Sequence, residues 1–250
     1  MSAIIDIITV TKDDLEGVTA TIKSTRRLRA RHQIRQIIID SSKKGTSEKI
    51  RRLISSEQNI DYVWQAPSGI AAAFNLGLRL SKAQWVWFLN GKDEVHHSVD
   101  PDKLLYIVKE SRADAIIFEI ELMQSSIRVS HPPIWNLWPA LCPNWIPHAA
   151  TLLRRKLFDQ YGLFNEEYQI AMDGELWLRF FSNRVTVDMI SIPIALFDEG
   201  GIANTQIREN LKEVRKIIRS HFWALLKHHL RTAKLAYQVV YDVFRYCGTR

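Results

Sequence analysis

Four polar clusters in this chain carry side chains that could do chemistry. They are Asp40-Ser41-Ser42, Asn90-Gly91-Lys92-Asp93, His148, and the pair Asp173 and Glu175. A carboxylate at the end of a buried strand, as Asp40 is predicted to be, can accept an N–H from a ligand, or it can close a turn and cap the next helix. Asp93 offers oxygens of the kind hard cations prefer, or is a loop residue in water. Its neighbour Lys92 is a point charge that suits an anion. Asp173 opens a predicted helix, where an acidic residue is an ordinary cap, and Glu175 points elsewhere round that helix. His148, between Pro147 and Ala149, either faces a ligand or makes a structural hydrogen bond.

These clusters sit where the elements of the chain would place them. Apolar β-rich runs at Ile4–Val10, Ile34–Ile39, Ile60–Trp64 and Trp85–Leu89 alternate with helical patterns at Leu15–Leu28, Ser47–Ser56 and Ile70–Leu80. Strand and helix in alternation predict a mostly parallel, doubly wound sheet. The runs are continuous rather than alternating, as in strands covered on both faces. Ligands of such sheets bind beyond the carboxyl ends of the strands. Thr9 and Thr11, Asp40, and Asn90 to Asp93 fall at those ends. Past residue 100 the pattern predicts a strand at Ala115–Leu122, a helix from Arg154 to Tyr161, a helix beginning near Asp173, and strands at Val185–Ile190 and Ile194–Phe197. The stretch Pro132–Pro147, with Trp135, Trp138 and Trp145, reads as irregular; its indoles suit sugar faces or core packing.

Composition narrows the classes. The 250 residues are 46% hydrophobic and 24% charged, with ten Gly and eight Pro, which excludes collagen-like and disordered chains. Two cysteines, Cys142 and Cys247, are too few for a disulfide framework and suit a reducing compartment. The start lacks a basic n-region, and no apolar run approaches the roughly 20 residues of a membrane span. Residues 201–250 hold ten Lys/Arg against three Asp/Glu, the whole net charge of +7. There Ile207, Leu211, Val214, Ile218, Phe222 and Leu225 form a helical stripe, followed by a second basic amphipathic stretch. That tail either packs on the domain or meets a membrane surface or partner. Basic residues beside a wide apolar face argue against nucleic acid.

Taken in order, the motifs resemble the family 2 glycosyltransferases, inverting sugar transferases of bacterial surface polysaccharides. The resemblance covers about Ile4 to Glu213. It rests on Ile7-Ile8-Thr9-Val10-Thr11, Ile37 to Thr46 around Asp40-Ser41-Ser42, Gly69-Ile70 to Asn75-Leu76-Gly77, and Trp87 to Asp93. Pro147-His148-Ala149-Ala150, Gly162-Leu163-Phe164-Asn165, Ala171 to Arg179 and Gly200-Gly201-Ile202 follow. It implies a GT-A fold: α/β, Rossmann-like, with a mostly parallel sheet flanked by helices and a C-terminal helical extension. Residues 1–205 would form the transferase domain and 206–250 basic amphipathic helices.

The resemblance further implies a UDP-linked sugar donor bound by Thr9, Thr11, Asp40, Asn90, Lys92 and His148. It implies a divalent cation, Mn²⁺ or Mg²⁺, on Asp93, Asp173 as general base, and a lipid-linked or oligosaccharide acceptor. Such an enzyme would work in the cytoplasm, peripheral to the inner face of the plasma membrane, with residues 222–246 on anionic lipid. Lys92 and Lys44 stand where the family usually has aspartates, so the need for metal is expected to be weak. A degenerate domain that binds nucleotide or a partner without turnover is the alternative. Nucleotidyl transfer shares the architecture, but its Gly-rich first loop is missing from Thr9–Leu15.

Overall fold

The computed structural model of the chain describes residues 3–130, 146–201, 205–221 and 223. Its first half follows the predicted alternation. Strands β1 (Ile5–Thr11), β2 (Ile34–Asp40), β3 (Ile60–Trp64) and β4 (Trp85–Phe88) are parallel. Helices α1 (Leu15–Arg29), α2 (Lys44–Ile54) and α3 (Ile70–Leu80) make the crossovers. Side chains of β1 alternate between two cores: Ile8 and Val10 pack with Phe74 and Phe88, Ile5 and Ile7 with Trp85 and Trp87. Burial on both faces explains why these strands read as unbroken apolar runs.

The second half mixes strand directions. Strands β5 (Glu94–Val95), β6 (Ala115–Leu122), β7 (Arg128–Val129), β8 (Thr151–Arg154) and β9 (Val187–Phe197) complete one sheet of order β3-β2-β1-β4-β8-β6-β9-β5, with β7 on β6. Because β8 runs antiparallel between β4 and β6, the sheet is parallel through its first four strands and mixed beyond. Arg154 ends β8 instead of opening a helix; α5 spans Lys156–Tyr161 and α6 spans Met172–Ser182. The two strands expected at 185–190 and 194–197 are one. Its register against β6 shifts around the Glu119 and Pro193 pair, and a proline with no N–H to give the ladder reads as a break.

Helix α4 (Pro101–Glu110) escaped the sequence reading although its start is well marked. Asp100 Oδ1 accepts from the backbone N–H groups of Asp102 and Lys103 at 2.9 and 2.8 Å, and Pro101 occupies the first turn.

The C-terminal helix α7 (Ile207–Ser220) forms where the stripe predicted it, with a different face inward. Ile217 is fully buried beside Leu176 and Trp177 and Val214 packs against them, while Ile207, Leu211 and Ile218 face solvent. Trp135, Trp138, Trp145 and the tail 222–246 apart from Trp223 lie outside the described residues.

Candidate active site

A cleft of about 860 Å³ opens at the carboxyl edge of the sheet. Strand order sets the sequence of groups along it: Ser41 after β2, Thr11 at the end of β1 with Asp14 beyond it, Asn90 to Asp93 after β4, His148 before β8, and Asp198 after β9. Asp173 at the start of α6 and Asn210 of α7 also line it. Six of the eight residues singled out from the sequence therefore meet in one cavity. Thr9 and Asp40 stand behind its wall.

Both of those are fully buried and held by neighbouring strands. The Thr9 hydroxyl accepts from Gln36 Nε2 at 2.9 Å. Asp40 accepts from the Ser42 backbone N–H at 2.8 Å and from the Tyr62 hydroxyl at 2.6 Å. The cause lies in the β2–β3 register, which pairs Asp40 with Trp64 and sets Tyr62 two residues back on the adjacent strand. Burial first, and then the Asp40 carboxylate, push the Tyr62 phenol above its ordinary pKa.

The loop after β4 is strained and tightly placed. Lys92 has φ of +98°, in the region non-glycine residues avoid. Its backbone N–H donates to Thr21 Oγ1 at 3.1 Å, and its ammonium lies 3.7 Å from Asp14 Oδ2. Gly17 on α1 makes this route possible, since a Cβ there would fall 2.4 Å from Lys92 Cγ and from Asp14 Oδ2. Asp14 also caps α1 by accepting from Gly17 N–H at 2.9 Å. No motif marks Asp14 as a cleft residue; its place one turn before Gly17 is the signal the sequence holds.

Next to Lys92, Asp93 is 3% exposed. Its Oδ1 accepts from the Asp198 backbone N–H at 3.1 Å, while Oδ2 has no partner among the described residues. Burial pushes its carboxyl up to about 7, against the pull of that N–H. Asn90 Oδ1 is likewise buried without a partner. Among the described residues His148 makes no hydrogen bond: both ring nitrogens are buried without a partner, and the ring stacks on Phe88 at 5.1 Å beside Phe74 and Phe164. Burial alone lowers its pKa to about 4, so the imidazole is neutral. Orphaned buried polar atoms cost free energy, and three such residues lining one cleft are a place for a ligand to satisfy them.

The two acids of α6 differ sharply. Asp173 accepts from the adjacent Gly174 N–H at 2.8 Å, and burial raises its carboxyl to about 6. Glu175 pairs with Arg179 at 2.8 Å and His221 at 3.2 Å, which hold its carboxyl below the ordinary value in spite of burial. Arg179 also donates to the carbonyls of Tyr161 and Leu163. Glu213 of α7, which no motif marked, caps the backbone just before Asp173.

For a hard cation, the fit is partial. No group of three His, Cys, Asp or Glu among the described residues could hold a metal. Asp93 Oδ2, Asn90 Oδ1 and the neutral His148 are the unpartnered donors that line the cleft, so a cation here needs oxygens from its ligand to fill its shell.

The fold is that of a GT-A glycosyltransferase. The chain belongs to glycosyl transferase family 2, whose model matches residues 6–183. A glycosyltransferase of Mycobacterium tuberculosis, Rv1514c, is 26% identical over 183 residues, covering 70% of this chain and 68% of that protein. The PGL/p-HBAD biosynthesis glycosyltransferase Rv2957 of the same organism is 26% identical over 149 residues, 58% of each chain. Among solved structures, S. aureus TarS superposes with a TM-score of 0.65 at 13% identity over 79% of this chain, which spans 37% of TarS. The mannosyltransferase PcManGT from Pyrobaculum calidifontis, in complex with GDP-Man and Mn²⁺, gives 0.62 at 14% identity over 95% of this chain and 76% of its own.

Proposed function

We propose that this chain transfers a sugar from a nucleotide diphosphate donor, UDP-linked, to a hydroxyl of a lipid-linked or oligosaccharide acceptor, with inversion, for cell-surface polysaccharide. The observation that carries the reading is Asp173, a carboxylate at the start of α6 with a raised pKa and no cationic partner among the described residues, in the cleft that the Lys92–Asp93 loop also lines. Asp173 takes the proton as the acceptor oxygen attacks the anomeric carbon. The new C–O bond forms as the bond from that carbon to the diphosphate breaks, and the diphosphate leaves. One displacement from the opposite face inverts the carbon.

Lys92 sets its ammonium toward the leaving diphosphate, and Asp14 holds the side chain over the cleft until donor arrives. Asp93 and His148 would hold the divalent cation, Mn²⁺ or Mg²⁺, whose chemistry is to neutralise the departing diphosphate. Thr11, Ser41 and Asn90 face the donor, with Thr9 and Asp40 setting the base-binding wall from behind. TarS has been solved with UDP and with UDP-GlcNAc, and PcManGT with GDP-Man and Mn²⁺, which supports a nucleotide-sugar donor and a cation. We place the enzyme at the cytoplasmic face of the membrane.

The deciding experiment is a thermal-shift panel of UDP, GDP, dTDP and CMP sugars with and without Mn²⁺, followed by a transfer assay on the donor that binds. A ligand at 100 times its Kd stabilises by about 2.7 kcal/mol. No shift from any donor overturns the reading. A shift without transfer points to the degenerate, non-catalytic domain that Lys44 and Lys92 suggest.

A further inference from the structure

Helix α7 leaves an apolar edge uncovered in a place where its other face is fully engaged. Ile217 is buried in the core and Glu213 is bonded to the backbone before α6, so the inward face is fixed. Beside that face, Ile207, Leu211 and Ile218 are 61%, 51% and 41% exposed, and Trp223 just past the helix is 77% exposed. The next strip round the helix carries Arg208, Lys212, Arg215 and Arg219, spaced i, i+4, i+7 and i+11 and all exposed. None of the four has an ion-pair partner among the described residues. No described helix is long and apolar enough to cross a membrane.

We infer that α7 lies in the plane of an anionic lipid surface, with Ile207, Leu211 and Ile218 among the acyl chains and Arg208, Lys212, Arg215 and Arg219 on the headgroups. An apolar strip bordered on one side by a single-sign basic strip matches the layered chemistry of such an interface. Other occupants fit poorly. A second copy docked about a twofold axis would face the same basic strip. Residues 224–250 of this chain hold five Lys/Arg and one Asp, so they offer the basic strip no charge complementarity. Nucleic acid has no use for the apolar strip. Asn210, one turn before Val214, lines the cleft. If the chain is the proposed transferase, docking α7 brings the cleft mouth to the lipid surface, where a lipid-borne hydroxyl could enter.

The test uses the full chain and vesicles of equal parts phosphatidylglycerol and phosphatidylcholine, against phosphatidylcholine alone, read by co-sedimentation. The wild type should bind the anionic vesicles and release them in high salt. Two variants should each lose binding by about tenfold or more: Leu211→Glu with Ile218→Glu, and Arg208, Lys212, Arg215 and Arg219 all →Gln. Their melting temperatures should match the wild type because the altered side chains are exposed. A tail variant with Lys227, Arg231 and Lys234 →Gln should keep most of its binding. Wild type that ignores anionic vesicles overturns the inference, as does loss confined to the tail variant. A Leu211→Glu, Ile218→Glu chain that binds vesicles normally but dissociates a dimer in light scattering also overturns it. Vesicle binding needs no donor or turnover, so these outcomes stand apart from the fate of the transferase reading.

Discussion

Glu213 reaches from α7 to the backbone of Ala171, two residues before Asp173, and accepts its N–H at 2.8 Å. The same carboxylate accepts from Gln169 and Ile170 N–H at 2.8 and 2.9 Å. Ala171, the N-cap of α6, has no side chain able to cap. A remote carboxylate thus satisfies three backbone N–H groups of the segment leading into α6, and its charge suits the positive end of the helix.

Glu213→Gln should therefore destabilise the fold by about 1.5–3 kcal/mol, the range for bonds to a charged group. Transfer should fall further than donor affinity, because the loosened segment presents the base. Urea denaturation beside single-turnover rates and UDP calorimetry separates the effects. Equal losses in binding and turnover would argue for a general structural role.

Asp173→Asn keeps the shape of the side chain and its bond to Gly174, so folding and donor binding should survive. Transfer should drop roughly 10²–10⁴-fold, as when a general base is lost. Full activity in this variant would move the base elsewhere. Glu175, committed to Arg179 and His221, is then a poor substitute.

The pH dependence follows from the same carboxyl, raised in the fold to about 6 from its ordinary 3.8. Ionised Asp173 is the active base, so transfer should rise with pH through about 6 and level off above it. Stability runs the other way. A carboxyl with a raised folded pKa favours the fold in its protonated form, so its contribution is present below pH 3.8 and lost as pH climbs through about 6. Asp173→Asn should thus gain about 1–2 kcal/mol over the wild type at pH 8, allowing for the partial exposure of the site, and little near pH 4. Denaturation midpoints at the two pH values check this.

Lys92→Asp should raise Mn²⁺ affinity and the metal dependence of transfer, since the substitution changes the loop by two charges. Gly17→Ala is its partner test. Alanine normally strengthens a helix by about 1 kcal/mol over glycine; here the added methyl collides with Lys92 Cγ and Asp14. The variant should bind UDP-sugar more weakly with α1 intact by circular dichroism. Unchanged affinity in both variants would place Lys92 away from the diphosphate.

Asp40→Ala should weaken UDP binding by about 1–3 kcal/mol in calorimetry. Because Asp40 also holds Tyr62 and Ser42, Tyr62→Phe is measured beside it. A weak effect from Tyr62→Phe with a strong one from Asp40→Ala supports direct recognition of the base. Comparable effects would mean that Asp40 acts by shaping the wall.

Much of the scaffold was legible along the chain. The bounds of β3, α3 and β6 match their patterns residue for residue, because strand and helix periods and the Gly69 and Ser81 flanks are local signals. Asp100 and Pro101 announced α4 equally plainly, yet the reading missed it. The cleft residues were legible for a topological reason: loops after parallel strands share one edge of the sheet, so Thr11, Asn90, Lys92 and Asp93 had to come together.

Which polar groups stay free there is a matter of contacts between distant segments, and local pattern holds no record of those. Asp173 and Glu175 are two residues apart and equally acidic in sequence. One keeps a raised pKa in the cleft, while the other is tied to Arg179 and to His221, 46 residues later, and is held below its ordinary value. Asp40 ends β2 and Asp93 lies in the loop after β4; Tyr62 on β3 takes an oxygen of the first, while Oδ2 of the second has no partner among the described residues. The sequence by itself determined the elements and the edge where chemistry gathers, because hydrophobic period and turn residues act over a few positions. Only the tertiary structure decided the capping of α6 by Glu213, the insertion of β8 between β4 and β6, and the face α7 turns outward. Those depend on packing between residues tens of positions apart, where burial and hydrogen-bond geometry choose among partners that the chain alone leaves equivalent.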